Sequence, residues 1–304
     1  MFRGVGITIK GATRWINLGF QFQPSEIMKI ALIIFLADRL SRDPKKNKQF
    51  FKGICPYLAV VGLICILLYK QPHYSALGIT AMVSMIIIFV AGMPIAKIVP
   101  FLIAAIPVGI YYLKKEPYRV KRIQYVFTPW EDMLDSGWQA MQSLYALGSG
   151  GLFGTGLGNS TQKYMYIPEP HTDFIFSIWA EEAGFFGVAL VCILFGILIW
   201  RGITIAMKAP DMFGTLLAIG IISLIGVQVV LNIAIVSATF PVTGIPLPFF
   251  SYGGTALVIL LASCGILINI GRNGVKYSSM RDVFEGMKNK KVCDFKFHIL
   301  FYFC

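Results

Sequence analysis

The chain has 304 residues, of which 56% are hydrophobic and only 14% charged, with a formal net charge of +12. Soluble domains carry about a quarter charged residues, and the apolar residues here gather into blocks long enough to cross about 30 Å of hydrocarbon. An ordinary soluble domain is thereby excluded, and the excess of Lys and Arg bears on membrane topology rather than on nucleic acid.

Taken in chain order, the blocks predict an all-α polytopic membrane protein with seven crossings, over 25–41, 54–70, 74–93, 97–113, 173–200, 212–238 and 254–271. Residues 1–26 are polar, aromatic and glycine-rich, without a cleavable signal, so the chain is expected to begin outside any span. Lys29 and Asp38 interrupt the first block, while Pro56, Pro72, Pro94, Pro210 and the Gly253–Gly254 pair mark the ends of others. The loop RLSRDPKKNKQFFK after the first crossing is densely basic, which places it in the cytoplasm. Alternation from there puts Lys97, the 201–208 turn and the tail from Arg272 inside as well. It leaves 1–24, 71–73, 114–172 and 239–253 outside. The six cysteines show no pairing pattern and read as packing residues.

The 114–172 loop is far longer than an ordinary connection and carries too many aromatics for a solvated tether. It opens with KKEPYRVKRIQY, placing Lys114, Lys115, Arg119, Lys121 and Arg122 at the external surface against the charge rule. Three readings stay open: a miscounted span, a solvated cluster that snorkels at a span end, and an anion site suited to a phosphate-bearing lipid. Further on, SGWQAMQSLYAL spaces Trp138, Met141 and Tyr145, with Leu144 on a neighbouring face, as an amphipathic helix lying on the membrane. GSGGLFGTGLGNS follows. It contains G-x-G-x-x-G, but no strand precedes it, so its glycines point to close backbone approach rather than to a dinucleotide.

The next span carries three acids. Asp173 lies at its outer mouth, as a helix N-cap or as a chemical group in water, two roles that are compatible. Ser177 and Glu181 continue a polar stripe at i+4 and i+8, and Glu182 points about 100° away from Glu181. Acids inside a membrane face a cavity or a partner. Glu181 and Glu182 are expected to be structural, paired with polar or basic groups on other spans. In FPVTGIPLPFFSYGGTA, residues 240–256, three prolines sit among strongly apolar residues, the mark of a broken, re-entrant segment buried in protein. Gln228 and Asn232, four residues apart on the preceding span, are placed to supply its missing hydrogen bonds.

Several stretches together, GATRWINLG, QPSEIMKIA, PYRVKRIQYVFTPWED, SGWQAMQSLYALGSGGLFGTGLGNS, YIPEPHTDFIFSIWAEEAGFFG and PVTGIPLPFFSYGG, resemble the SEDS family of shape, elongation, division and sporulation proteins, the FtsW/RodA/SpoVE group. They occur in the family's order over residues 4–272 and look closest to the SpoVE and FtsW branch. The resemblance implies a peptidoglycan glycosyltransferase that polymerises lipid II at the outer membrane face beside a class B penicillin-binding protein. It places the catalytic carboxylate of the H-T-D-F-I-F motif at Asp173 and the pyrophosphate-holding cations at Arg119, Lys121 and Arg122. Lys163, His171, Thr172 and Ser251 are the further substrate-binding candidates, and Glu26, Glu181, Glu182, Gln228 and Asn232 are expected to support or line the cavity. No cofactor is certain, although a divalent cation in the pyrophosphate site would suit the chemistry.

The family has ten spans, so this chain is expected to be truncated at its N-terminus by three. Residues 1–272 read as the membrane domain and 273–304 as a cytoplasmic tail without family character. QPHYSAL stands where many relatives have QPDLGTA, and Ala256 where Ser is usual. Two other classes stay open beside the enzyme: a lipid II flippase, and a scaffold left inactive by truncation.

Overall fold

The computed structural model describes residues 6–9, 12–17, 21–49, 53, 55–94, 96–97, 99–100, 103, 107, 124, 126, 128, 136–163 and 172–274. Three short strands come first: β1 (Gly6–Ile9), β2 (Ala12–Asn17) and β3 (Gln21–Phe22). They form an antiparallel sheet in the order β1-β2-β3. This small sheet is an addition to the expected all-α picture. The remaining elements are helices, α1 (Pro24–Arg42), α2 (Cys55–Lys70), α3 (Tyr74–Val90), α4 (Ser136–Ser149), α5 (Ile175–Met207), α6 (Met212–Val236) and α7 (Gly254–Gly274).

Six of the seven expected crossings coincide with described helices. α5, α6 and α7 are long and apolar enough to cross a membrane, whereas α2 and α3 are shorter apolar helices. α1 is long enough at 19 residues, about 28 Å, and it carries its charges in compensated form. Lys29 is buried and pairs with Glu26 at 2.8 Å, one turn away. Asp38 pairs with Arg42 at 2.8 Å near the opposite end. The crossing expected over 97–113 lies almost wholly outside the described residues.

α6 is the hub. It packs against α1, α3 and α5, and its buried residues run along most of its length. Small residues make this possible, as they do wherever helices must approach closely in lipid. A Cβ on Gly220 would collide with Ile33 of α1, and one on Gly202 of α5 would collide with Ile222 of α6. On α3, Ala76, Ile79, Thr80, Val83, Ser84 and Ile87 fall at helical spacing on the buried side. Asn47 closes the loop after α1 by donating to Leu40 O (2.8 Å) and to Ala91 O just past α3 (3.2 Å).

α5 has 33 residues, about 50 Å, which exceeds the hydrocarbon thickness by roughly 20 Å. It is also bent: Gly184 has φ 64° and ψ −165°, well outside helical values. α4 is a helix, as its spacing suggests. It packs on α5 and α6 with Ala140, Met141, Gln142, Ser143 and Ala146 buried, while Tyr145 is left exposed.

A candidate active site at the mouth of α5

Asp173 stands two residues before α5, on a turn that is held from behind. Asn232, fully buried on α6, donates from one amide nitrogen to Asp173 O (2.9 Å) and to Ile245 O (2.7 Å). Ser251 Oγ donates to Thr172 O (2.5 Å) and accepts from Leu247 N (2.7 Å). Two side chains thus fasten the 172–173 turn to the segment 237–253, which is irregular and partly buried, with Ile245 and Leu247 almost fully enclosed. Irregular backbone at such a place needs partners from neighbouring elements, and Asn232 supplies them as its position on α6 suggests. Gln228, one turn earlier, is buried.

The carboxylate itself meets Gly244. That residue has φ +65°, a conformation suited to glycine, and a Cβ there would lie 2.9 Å from Asp173 Oδ2. Next to it, Thr243 O accepts a hydrogen bond from Ser75 Oγ of α3. Phe174 occupies the N-cap of α5 without a side-chain cap bond, so Asp173 falls one residue outside the cap position. Two buried oxygens at this site, Asn232 Oδ1 and Thr243 Oγ1, have no hydrogen-bond partner.

A second polar group adjoins through α3. Gln23 Nε2 lies 3.2 Å from His73 Nε2. The other ring nitrogen, Nδ1, is buried and unpartnered. Arg14 of β2 donates to Pro72 O beside it. Burial first, and then the Arg14 and Lys29 charges, push the His73 pKa down to about 4, so the ring is neutral at pH 7. Burial likewise lowers the Arg14 pKa. Sequence reasoning put no role on Arg14 or His73; the change from QPD to QPH was the one signal available.

Glu181 and Glu182 do something different from Asp173. Glu181 accepts from Thr161 N (3.1 Å), Thr161 Oγ1 (2.8 Å), Gln162 N (3.3 Å) and Ser160 Oγ. Glu182 accepts from Ser160 N (3.3 Å) and Lys163 Nζ (3.2 Å). Their partners therefore lie on the loop after α4, not on other spans as expected. The bend at Gly184 leaves α5 backbone groups open, and the same loop takes them: Thr155 N donates to Glu181 O, Gly156 N to Glu182 O, Phe185 N to Gly151 O and Phe186 N to Leu152 O. Gly150 and Gly154 pack so closely on Ala180 and Glu182 that a Cβ on either would strike a carbonyl. Ser143 of α4 adds a bond to Ser177 (2.8 Å) and one to Val236 O (2.6 Å). The polar stripe Asp173–Ser177–Glu181 is thus divided, its lower two members bound to α4 and the loop.

Lys163 is committed to Glu182 and to Gly158 O, and Ser251 to backbone. Arg119, Lys121, Arg122 and His171 lie outside the described residues. Glu26 is held by Lys29 below the His73 group.

A bundle of apolar helices with a carboxylate held at one mouth by irregular backbone defines a polytopic membrane protein with a membrane-surface site. The family model described as cell cycle protein, FtsW/RodA/SpoVE, matches residues 1–276, and the chain belongs to that family. "Stage V sporulation protein E" of Bacillus subtilis is 47% identical over 88% of this chain and 74% of its own length. "Probable peptidoglycan glycosyltransferase FtsW" of a Geobacter species is 43% identical over 88% of this chain and 73% of its own length. A solved structure described as "Structural coordination of polymerization and crosslinking by a peptidoglycan synthase complex" contains a chain that superposes with TM-score 0.74 at 30% identity, covering 89% of this chain and 76% of that one.

Proposed function

We propose that the chain is a peptidoglycan glycosyltransferase that extends glycan strands from lipid II at the outer face of the cytoplasmic membrane, with Asp173 as general base. Membership of the family and 43% identity to a protein named as such a transferase support the reaction class. The observation that carries the residue assignment is the mounting of Asp173. Its turn is pinned by Asn232 and Ser251, while its carboxylate stands outside the helix cap against a glycine.

In the reaction, a sugar 4-hydroxyl attacks the anomeric carbon that bears the lipid pyrophosphate. The new C–O bond forms as the bond to pyrophosphate breaks, and the hydroxyl proton passes to the Asp173 carboxylate. Negative charge develops on the leaving pyrophosphate and calls for cations. Arg119, Lys121 and Arg122 fit that task by charge and by their place in the sequence. Arg14 contributes positive charge beside His73. A class B penicillin-binding protein is the proposed partner, supported by the likeness to a peptidoglycan synthase complex. The bonds spent by Glu181, Glu182 and Asn232 on loop and backbone weigh against a polar path for lipid transport.

The test is polymerisation of labelled lipid II by the purified chain. Asp173→Asn should slow it about 100- to 10,000-fold, the range for a lost general base, with thermal unfolding unchanged. Wild-type rates from that variant end the assignment.

A further inference from the structure

The loop between α4 and Lys163 has a use beyond clasping α5. Its tip is strongly apolar and uncovered: Leu152 is 60% exposed, Phe153 81% and Leu157 75%. Phe185 and Phe186 of α5 continue the same surface at 59% and 57%, and the Phe153 and Phe186 rings meet at 5.4 Å. Four backbone hydrogen bonds between 151–156 and 181–186 lock the tip to the helix, so the two surfaces form one rigid patch. Patches of this kind on a protein surface mark a site of contact.

Position along α5 says what that contact is. Trp200 and Arg201 form an interfacial pair of the sort that marks a membrane boundary. About 20 residues of helix cross the hydrocarbon from there, which reaches Glu181 and Glu182 at the other boundary. The clasp therefore sits at the level where acyl chains meet headgroups. Below it on α5, Leu190, Ile193 and Leu194 are exposed in an apolar span, and the patch continues towards them along the helix. The flank of the loop away from the tip is polar, with Ser160, Thr161 and Lys163 turned to the two glutamates. An apolar tip with a polar shoulder at a membrane boundary is the pattern of an interfacial anchor.

We propose that the 152–157 tip inserts among the acyl chains of the leaflet at the Asp173 end of α5, and that this contact sets the height of the catalytic turn. The helix rises about 9 Å from Glu181 to its first residue, Ile175, and Asp173 stands on the turn before it, roughly 10 Å beyond the hydrocarbon boundary. That is the layer in which a lipid-linked pyrophosphate and its first sugar travel. The consequence for height rests on the proposed function, while the lipid contact stands independently of it.

The experiment places Trp at Phe153 in the full chain, reconstituted in phosphatidylglycerol and phosphatidylethanolamine vesicles whose acyl chains are brominated in both leaflets. The parent's five tryptophans supply the emission to subtract. The added emission should be lost in brominated vesicles and should resist iodide in the water. Leu157→Trp repeats the measurement at a second exposed position and covers the case in which Phe153→Trp does not fold. Added emission that survives bromination overturns the anchor: with iodide quenching the tip is in water, and without it the tip lies against protein. No substrate is present, so this outcome is separable from a failure of the Asp173→Asn test.

Discussion

His73 is an unusual residue to find beside Arg14 and above the Glu26–Lys29 pair, because it can acquire a charge that its surroundings oppose. Its pKa falls from 6.5 to about 4 on folding. Between these values the unfolded chain binds a proton that the folded chain refuses. Stability is therefore unaffected by His73 above pH 6.5 and declines as pH drops from there towards 4, by on the order of 3 kcal/mol at most. His73→Gln keeps a polar partner for Gln23 and removes the titration. Melting temperatures in detergent between pH 6.5 and 4.5 should fall less for this variant than for the parent. Equal slopes would show that His73 does not carry the acid sensitivity. At this scale the sequence was informative where an acid broke an apolar run and silent where polar groups meet across elements. Asp173 was legible as the odd acid at a span mouth. The Arg14–His73–Gln23 group was not, because three separate segments bring it together.

At the scale of elements, α4 shows which residues mark a packed face in a membrane protein. α4 has its aromatics on one side, and in water that side would be the core. In lipid, apolar side chains are equally content outside, and small or polar residues mark the packed face. Ala140, Ser143 and Ala146 do so here. Length and proline content need no knowledge of facing, so the six described helices and the irregular stretch within 240–256 were readable in advance. The partners of Glu181 and Glu182 were unreadable, since the clasp depends on backbone geometry at Gly150, Gly154 and Gly184. A paired substitution tests that geometry. Gly148 has open space at its Cβ position, so Gly148→Ala should leave stability unchanged or raise it slightly. Gly150→Ala must push Ala180 O aside and should cost about 1–3 kcal/mol, read as a lowered melting temperature. Equal effects of the two would show that the clasp is not close-packed in solution.

At the scale of the whole molecule, chemistry at an outer surface requires the bundle to be inserted with its Asp173 end outward. The proposed orientation rests on charge. The 43–49 loop carries Lys45, Lys46 and Lys48 directly after Arg39 and Arg42, and short basic loops of this kind remain in the cytoplasm. The opposite end presents the 237–253 segment and Asp173, and it has no described basic cluster of comparable density. Lys46 is exposed on the loop, and Tyr252 is 84% exposed near Asp173. Cysteines placed at these two positions report opposite sides. In intact cells treated with a membrane-impermeant maleimide, Tyr252→Cys should label and Lys46→Cys should label only after the membrane is opened, both measured above the native cysteine background. The reverse pattern would place Asp173 in the cytoplasm, where the growing glycan is absent, and would remove the setting in which its carboxylate serves as a base for polymerisation.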